Sequence, residues 1–258
     1  MTSPGFDISA AKLAIALLGA LCLGVSKTGF PGLAIVNVLI VAELFGERES
    51  VGIILPLLIV CDLIVYPMFR KHGHWSQVWF LLPPTLLGIV GGVWLLARIG
   101  NEIARPAIGG IILVMLGLQL LREYRRRFLE HLPDSRWFLW LCGGGIGIST
   151  MMANAAGPVY TVYALVHRMT KEVFLGIGAR FFLLLNVLKF PLLAAGLPGI
   201  GSLNLIHSAS LRLDLHLLPG VIAGILLGRK LLALVPQRLF NGLLYAFSAL
   251  AGLRMLFW

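Results

Sequence analysis

Gly24-Val25-Ser26-Lys27-Thr28-Gly29-Phe30-Pro31-Gly32 interrupts the first apolar run of the chain. Ser149-Thr150-Met151-Met152-Ala153-Asn154-Ala155-Ala156-Gly157-Pro158 interrupts a later one. Each places small and hydrogen-bonding residues, then Gly and Pro, where a membrane helix should run unbroken. Irregular backbone at membrane depth survives only where protein or a water-filled cavity satisfies it. Matched interruptions in two halves of a chain are the sequence pointer to a transporter's binding site.

The surrounding composition is that of a bilayer protein. The chain is 59% hydrophobic and 12% charged, with a mean hydropathy of +0.93, far from the balance of a soluble domain. A spanning helix needs about 20 mostly apolar residues. The expected spans are 50–69, 78–99, 103–121, 173–197, 215–235 and 239–258. The stretches 10–25 with 31–45, and 137–148 with 157–166, flank the two breaks. Each pair reads either as two short spans or as one re-entrant hairpin, giving about eight to ten membrane segments. The fold class is an all-α polytopic membrane protein. Its first repeat is expected over 1–121, a basic connection over 122–136 and a second repeat over 137–258. Met1–Ala10 has no basic leader region, so the first apolar run reads as retained. Cys22, Cys61 and Cys142 lie in apolar runs without metal or disulfide spacing and read as small hydrophobes.

The net charge of +10 is explained by topology rather than by nucleic acid. With Arg122–Arg136 placed in the cytoplasm, 12 of the 21 Lys and Arg fall in cytoplasmic loops and 6 outside. Lys27, Arg180 and Lys189 remain inside membrane segments. That bias is the positive-inside rule, and Arg125-Arg126-Arg127 reads as an anchor near anionic lipid headgroups. The expected location is the inner (plasma) membrane, with the lipid bilayer as a partner and nucleic acid excluded.

The halves echo each other. Gly52 and Gly176, Asp62 and Asn186, and Pro67 and Pro191 are each 124 positions apart. Pro83 and Pro219, Gly88 and Gly224, and Gly92 and Gly228 are each 136 apart. The turn Gly46–Glu49 falls outside and its counterpart His167–Lys171 inside, so the halves are expected to be inverted-topology repeats whose breaks meet at the midplane.

Intramembrane charges cost about 2.5–3.5 kcal/mol each on insertion scales and mark function. Lys27 lies in the first break, opposite Asn154 in the second; its bland reading is a snorkelling lysine. Arg180 presents a fixed fork of donors suited to an oxyanion, or else an ion pair with Asp62 or a cap on carbonyls of a neighbouring helix. Asp62 is the one carboxylate well inside an expected span. It reads as a proton-coupling group or as an ion-pair partner of Arg180 or Lys27. Lys189 sits nearer the end of its span, where snorkelling competes with function. Asn37 and Asn186 either line a cavity or bond across helices.

Pro31 and Pro158 suit the first turn of a helix. The helices after the breaks would then aim positive N-terminal ends at the midplane. With Lys27 and Arg180 this makes an anion trap. No His-Glu-x-x-His, P-loop or Gly-x-Ser-x-Gly occurs, and the six histidines fall in loops or near span ends. Neither catalysis nor a metal site is expected.

At these residues the chain resembles the TauE/SafE membrane transporters, the sulfite exporter family. The stretches Gly24–Gly32 and Ser50–Asp62 look like that family's first repeat, and Thr150–Val159 looks like its second. The family's Gly-Ile-Gly-Gly-Gly form is missing here. The resemblance implies a carrier exporting sulfite, an organosulfonate or a related small anion, without a cofactor. Its implied binding residues are Lys27, Thr28, Gly29, Asn37, Asn154, Gly157, Arg180 and Asn186, with Asp62 as a coupling or ion-pair candidate. The expected function is secondary transport by alternating access around the breaks. The alternatives are an anion channel and a non-transporting membrane assembly partner. Proton coupling and homo-oligomer formation are both compatible with this reading.

Overall fold

The computed structural model describes residues 9–28, 33–99, 101–125, 135–167, 169–196 and 203–234, with positions 249, 253, 256 and 257. Gly29, Pro31, most of the basic connection and all but those four positions of the expected span 239–258 lie outside the described residues. Within them the secondary structure is helical. The order is α1 (Ala10–Lys27), α2 (Leu33–Phe45), α3 (Glu47–Phe69), α4 (Trp75–Arg98) and α5 (Asn101–Tyr124), then α6 (Arg136–Ala153), α7 (Gly157–Val166), α8 (Lys171–Ala195) and α9 (Ser208–Leu234). By length and composition α1, α3, α4, α8 and α9 can each cross a membrane.

Both breaks are shorter than expected. Helix α1 continues through Ser26 and Lys27, and α6 through Ser149–Ala153. The cause is local. Ser26 Oγ donates to Leu23 O at 2.6 Å, and Ser149 Oγ donates to Gly145 O at 2.6 Å. A hydroxyl bonded back to its own helix is satisfied without a cavity, and the helix continues with at most a slight bend. The second break reduces to Asn154–Ala156, with Asn154 in the left-handed conformation (φ 51°) capping α6. Helix α9 starts at Ser208, earlier than expected. It thereby takes in Asp214, a buried carboxylate besides Asp62 and Glu47, whose oxygens have no hydrogen-bond partner among the described residues.

The helices on either side of each break fold back as hairpins. A Cβ at Gly19 of α1 would lie 3.1 Å from Ile40 and 3.5 Å from Asn37, both on α2. Across the second break, Gly145 of α6 faces Val159 of α7.

Glycines then set two intimate parallel contacts. Leu17, Leu21 and Val25 of α1 meet Gly220, Gly224 and Gly228 of α9 in turn, and a Cβ at Gly24 would collide with the Val221 carbonyl. On the other side, Gly147 of α6 sits against the Thr85 carbonyl of α4, and Gly88 against Gly144. Where lipid is as apolar as leucine, close backbone approach through small residues is what holds helices together. Between these pairs α3 packs along α8. Prolines 56 and 67 lie inside α3 and Pro191 inside α8 without ending either helix.

Two glycine contacts mark opposite ends of the bundle. At one, Gly176 of α8 rests on the His72 carbonyl in the Arg70–His74 turn. At the other, Gly52 of α3 rests on the Leu205 carbonyl, and His207 Nε2 lies 3.8 Å from Glu49 Oε2.

Candidate functional site

Both breaks open onto one cavity of about 520 Å³. The first supplies Ser26, Lys27 and Thr28; the second supplies Thr150, Asn154 and Gly157. Helix α3 adds Asp62 and α8 adds Asn186. From these polar groups the wall runs along α3 to Phe69 and along α8 to Phe174, toward the end carrying the Arg70–His74 turn. Asp62 to Phe69 is seven residues, about 10 Å of helix.

Lys27 is the last residue of α1, at the end where carbonyls are unpaired and a cation is favoured. Its Nζ lies 2.5 Å from Asp62 Oδ1, and its side chain keeps 18% exposure while that of Asp62 keeps 3%. The Phe182 ring centroid is 5.2 Å from the same ammonium. Asn186 Nδ2 donates to Asp62 Oδ2 at 2.7 Å. Asp62 is therefore held from two sides, by α1 and by α8. Of the partners open to it in the sequence, the ion pair is with Lys27 and not with Arg180.

Lys189 departs most from expectation. It does not snorkel; it is fully buried. Its Nζ donates to Thr150 O and Oγ1, both at 2.9 Å, and to Asn154 Oδ1 at 2.7 Å. Three ammonium donors find three acceptors at the C-terminal end of α6. Asn154 Nδ2 in turn donates to Val51 O at 3.0 Å, tying the second break to α3. Snorkelling fails because α6 and α8 bring those oxygens together in the interior, a proximity that span position alone does not reveal.

Arg180 takes the carbonyl-capping role. Its guanidinium donates to His72 O at 2.6 Å, to Gly176 O at 2.8 Å and to Arg70 O. Trp75 flanks it at 5.8 Å. These bonds clamp the α3–α4 turn to α8, and Arg180 is not in the cavity wall. Asn37 is fully buried, neither of its side-chain polar atoms is bonded among the described residues, and it too stands outside the wall. Of the sequence-derived site residues, the fold gathers Lys27, Thr28, Asp62, Asn154, Gly157 and Asn186 into one cavity. It leaves Arg180 and Asn37 elsewhere, and Gly29 lies outside the described residues.

The aromatic part of the wall had no clear signal in the sequence. Tyr160 stacks on Phe174 at 4.9 Å and meets Phe182 edge-on at 5.2 Å. Its hydroxyl donates to Phe174 O at 2.9 Å. Tyr160 and Thr161 belong to α7, whose first turn presents Gly157 to the cavity. The first amides of a helix lack intrahelical acceptors and favour an anion.

The cavity thus lies between two broken hairpins, with a lysine and a helix N-terminus at its head. The sulfite exporter TauE/SafE family model matches residues 10–255. No curated protein and no solved structure matches the chain. The family match spans nearly the whole length: this membrane protein belongs to the sulfite exporter TauE/SafE family of transporters.

Proposed function

We propose that the chain is a secondary transporter of a small anion, a sulfite, an organosulfonate or a close relative, and that it exports the anion. In this reading Lys27, Thr28, Asn154, Gly157 and Asn186 contact the solute. Arg180 clamps the α3–α4 turn to α8 instead. The observation that carries the proposal is that both breaks line one cavity in which, among the described residues, Lys27 is the sole cation.

Alternating access follows from treating the halves as inverted repeats. Several contacts support that treatment. Gly52 on Leu205 and Gly176 on His72 are like contacts at opposite ends of the bundle. Gly24 between α1 and α9 matches Gly147 between α6 and α4. Asp62 and Asn186, 124 positions apart, bond directly to each other, as expected of equivalent residues beside a two-fold axis. The positive-inside rule places the Arg70–His74 turn in the cytoplasm of an inner-membrane protein. The cavity wall reaches toward that side, while the Asn154–Val51 and Gly52–Leu205 contacts close the other.

The test is binding and counterflow. Purified protein should gain thermal stability with sulfite, thiosulfate or methanesulfonate, and proteoliposomes should show saturable counterflow of the anion that binds. Lys27→Ala should remove both. Conductance without counterflow would make the protein a channel, and no response to any of these anions would remove the reading.

A further inference from the structure

The Lys27–Asp62 pair conflicts with a resident anion. Asp62 Oδ1 sits 2.5 Å from the ammonium, and both side chains line the cavity. A solute anion approaching Lys27 therefore meets a like charge within a few ångströms, in surroundings where charge is weakly screened.

Two changes would remove the conflict: Asp62 swings away, or it takes up a proton. Swinging away would forfeit Lys27 and Asn186 together, and Asp62 is only 2% exposed. Protonation leaves the geometry intact. Oδ2 still accepts from Asn186, the proton sits on Oδ1, and the carboxyl becomes a donor toward the anion instead of its rival. The charges also balance. The empty site holds one positive and one negative side chain. With a proton on Asp62 and a monoanion on Lys27 the sum is again zero, so loading the site adds no net charge to the membrane interior.

Resting on the anion reading, we infer that Asp62 is the coupling group: one proton on Asp62 and one singly charged anion on Lys27 bind and cross together, so that transport is proton-coupled and electroneutral. A high internal anion concentration drives the cycle outward, and external acid opposes it.

The groups facing Asp62 are few. From α1 there is Lys27. From α8 comes Lys189, which acts on Asp62 and Lys27 at a distance while bonded to Thr150 and Asn154. On α3 itself Cys61 is adjacent. Helix α7 adds Tyr160, occupied with Phe174 O. Among the described residues, no charged side chain of α2, α5, α6 or α9 lines the cavity.

Methanesulfonate is the probe, because it keeps one negative charge across the working pH range and any proton taken up belongs to the protein. For the wild type, affinity should fall about tenfold per pH unit once Asp62 is ionised in the empty site. In proteoliposomes an alkaline interior should by itself drive accumulation, at a rate unaffected by clamped voltage. Asp62→Asn should bind with flat pH dependence and accumulate nothing, and Asp62→Glu should restore the pH slope. Wild-type binding that is flat with pH, or accumulation that follows voltage, overturns the coupling and leaves the anion site standing. Absence of binding by any tested anion overturns both. The wild-type measurements decide the matter even where a variant fails to fold.

Discussion

Asn186 donates to Asp62 at 2.7 Å across the contact between α8 and α3, and the two residues lie 124 positions apart in the chain. This bond links the halves at the cavity wall. It also fixes one carboxylate oxygen while Lys27 takes the other. The polar centre is therefore a three-residue cluster drawn from α1, α3 and α8, and separating any member should disturb the remaining two.

The Lys27–Asp62 pair should show strong coupling. Lys27→Met alone or Asp62→Leu alone leaves an unpaired charge in a wall with little water, whereas the double variant removes both. A double-mutant cycle on unfolding in detergent should give an interaction of about 2 kcal/mol. The double variant should fold and bind no anion. Additive losses would show that the pair is too well hydrated to matter.

Lys189 should be a stability residue of the second break. Lys189→Ala strips Thr150 and Asn154 of their donor and leaves a cavity, a loss of about 3 kcal/mol. Lys189→Met keeps most of the volume and should lose about 2 kcal/mol. Thermal unfolding in detergent, compared with Lys230→Met on an exposed position of α9, reads the difference.

Arg180→Gln should destabilise without touching affinity. Its three carbonyl partners belong to the α3–α4 turn and to α8, so the variant should lose about 3 kcal/mol of unfolding free energy. Anion affinity should stay within about twofold of wild type, since this is under 0.5 kcal/mol. A tenfold weaker affinity in a folded variant would return Arg180 to the binding site.

The glycine contacts should tolerate nothing larger. Gly24→Leu and Gly147→Leu drive a side chain into backbone of the partner helix and should each cost about 3 kcal/mol or prevent insertion. Gly91→Ala meets no atom within 4 Å and should shift stability by less than about 1 kcal/mol, in the favourable direction of helix propensity. Expression and unfolding midpoints of the three variants make the comparison.

Much of the bundle was legible because its signals are local. Apolar length marks the spans, and Asn154, Gly157 and Pro158 mark the second break within a residue or two. The overextended breaks were misread because a serine or threonine looks polar in sequence while its hydroxyl bonds three or four residues back. Ser26 and Ser149 both do this. Asp214 was missed because the polar first turns of α9 hid where the helix begins.

Composition and loop charge were enough to establish a polytopic membrane protein, and its Gly- and Pro-bearing interruptions marked the two places where its helices break. Each of those follows from the energetics of putting a residue in lipid, which depends on that residue and its neighbours in the chain. The partners of the buried cations were decided by tertiary structure alone. Lys27, Arg180 and Lys189 carry the same charge, and nothing within the chain separates the cavity lysine from the clamp and the pin. Packing does, by placing Asp62, the Arg70 and His72 carbonyls, and Thr150 with Asn154 each within reach of a different one.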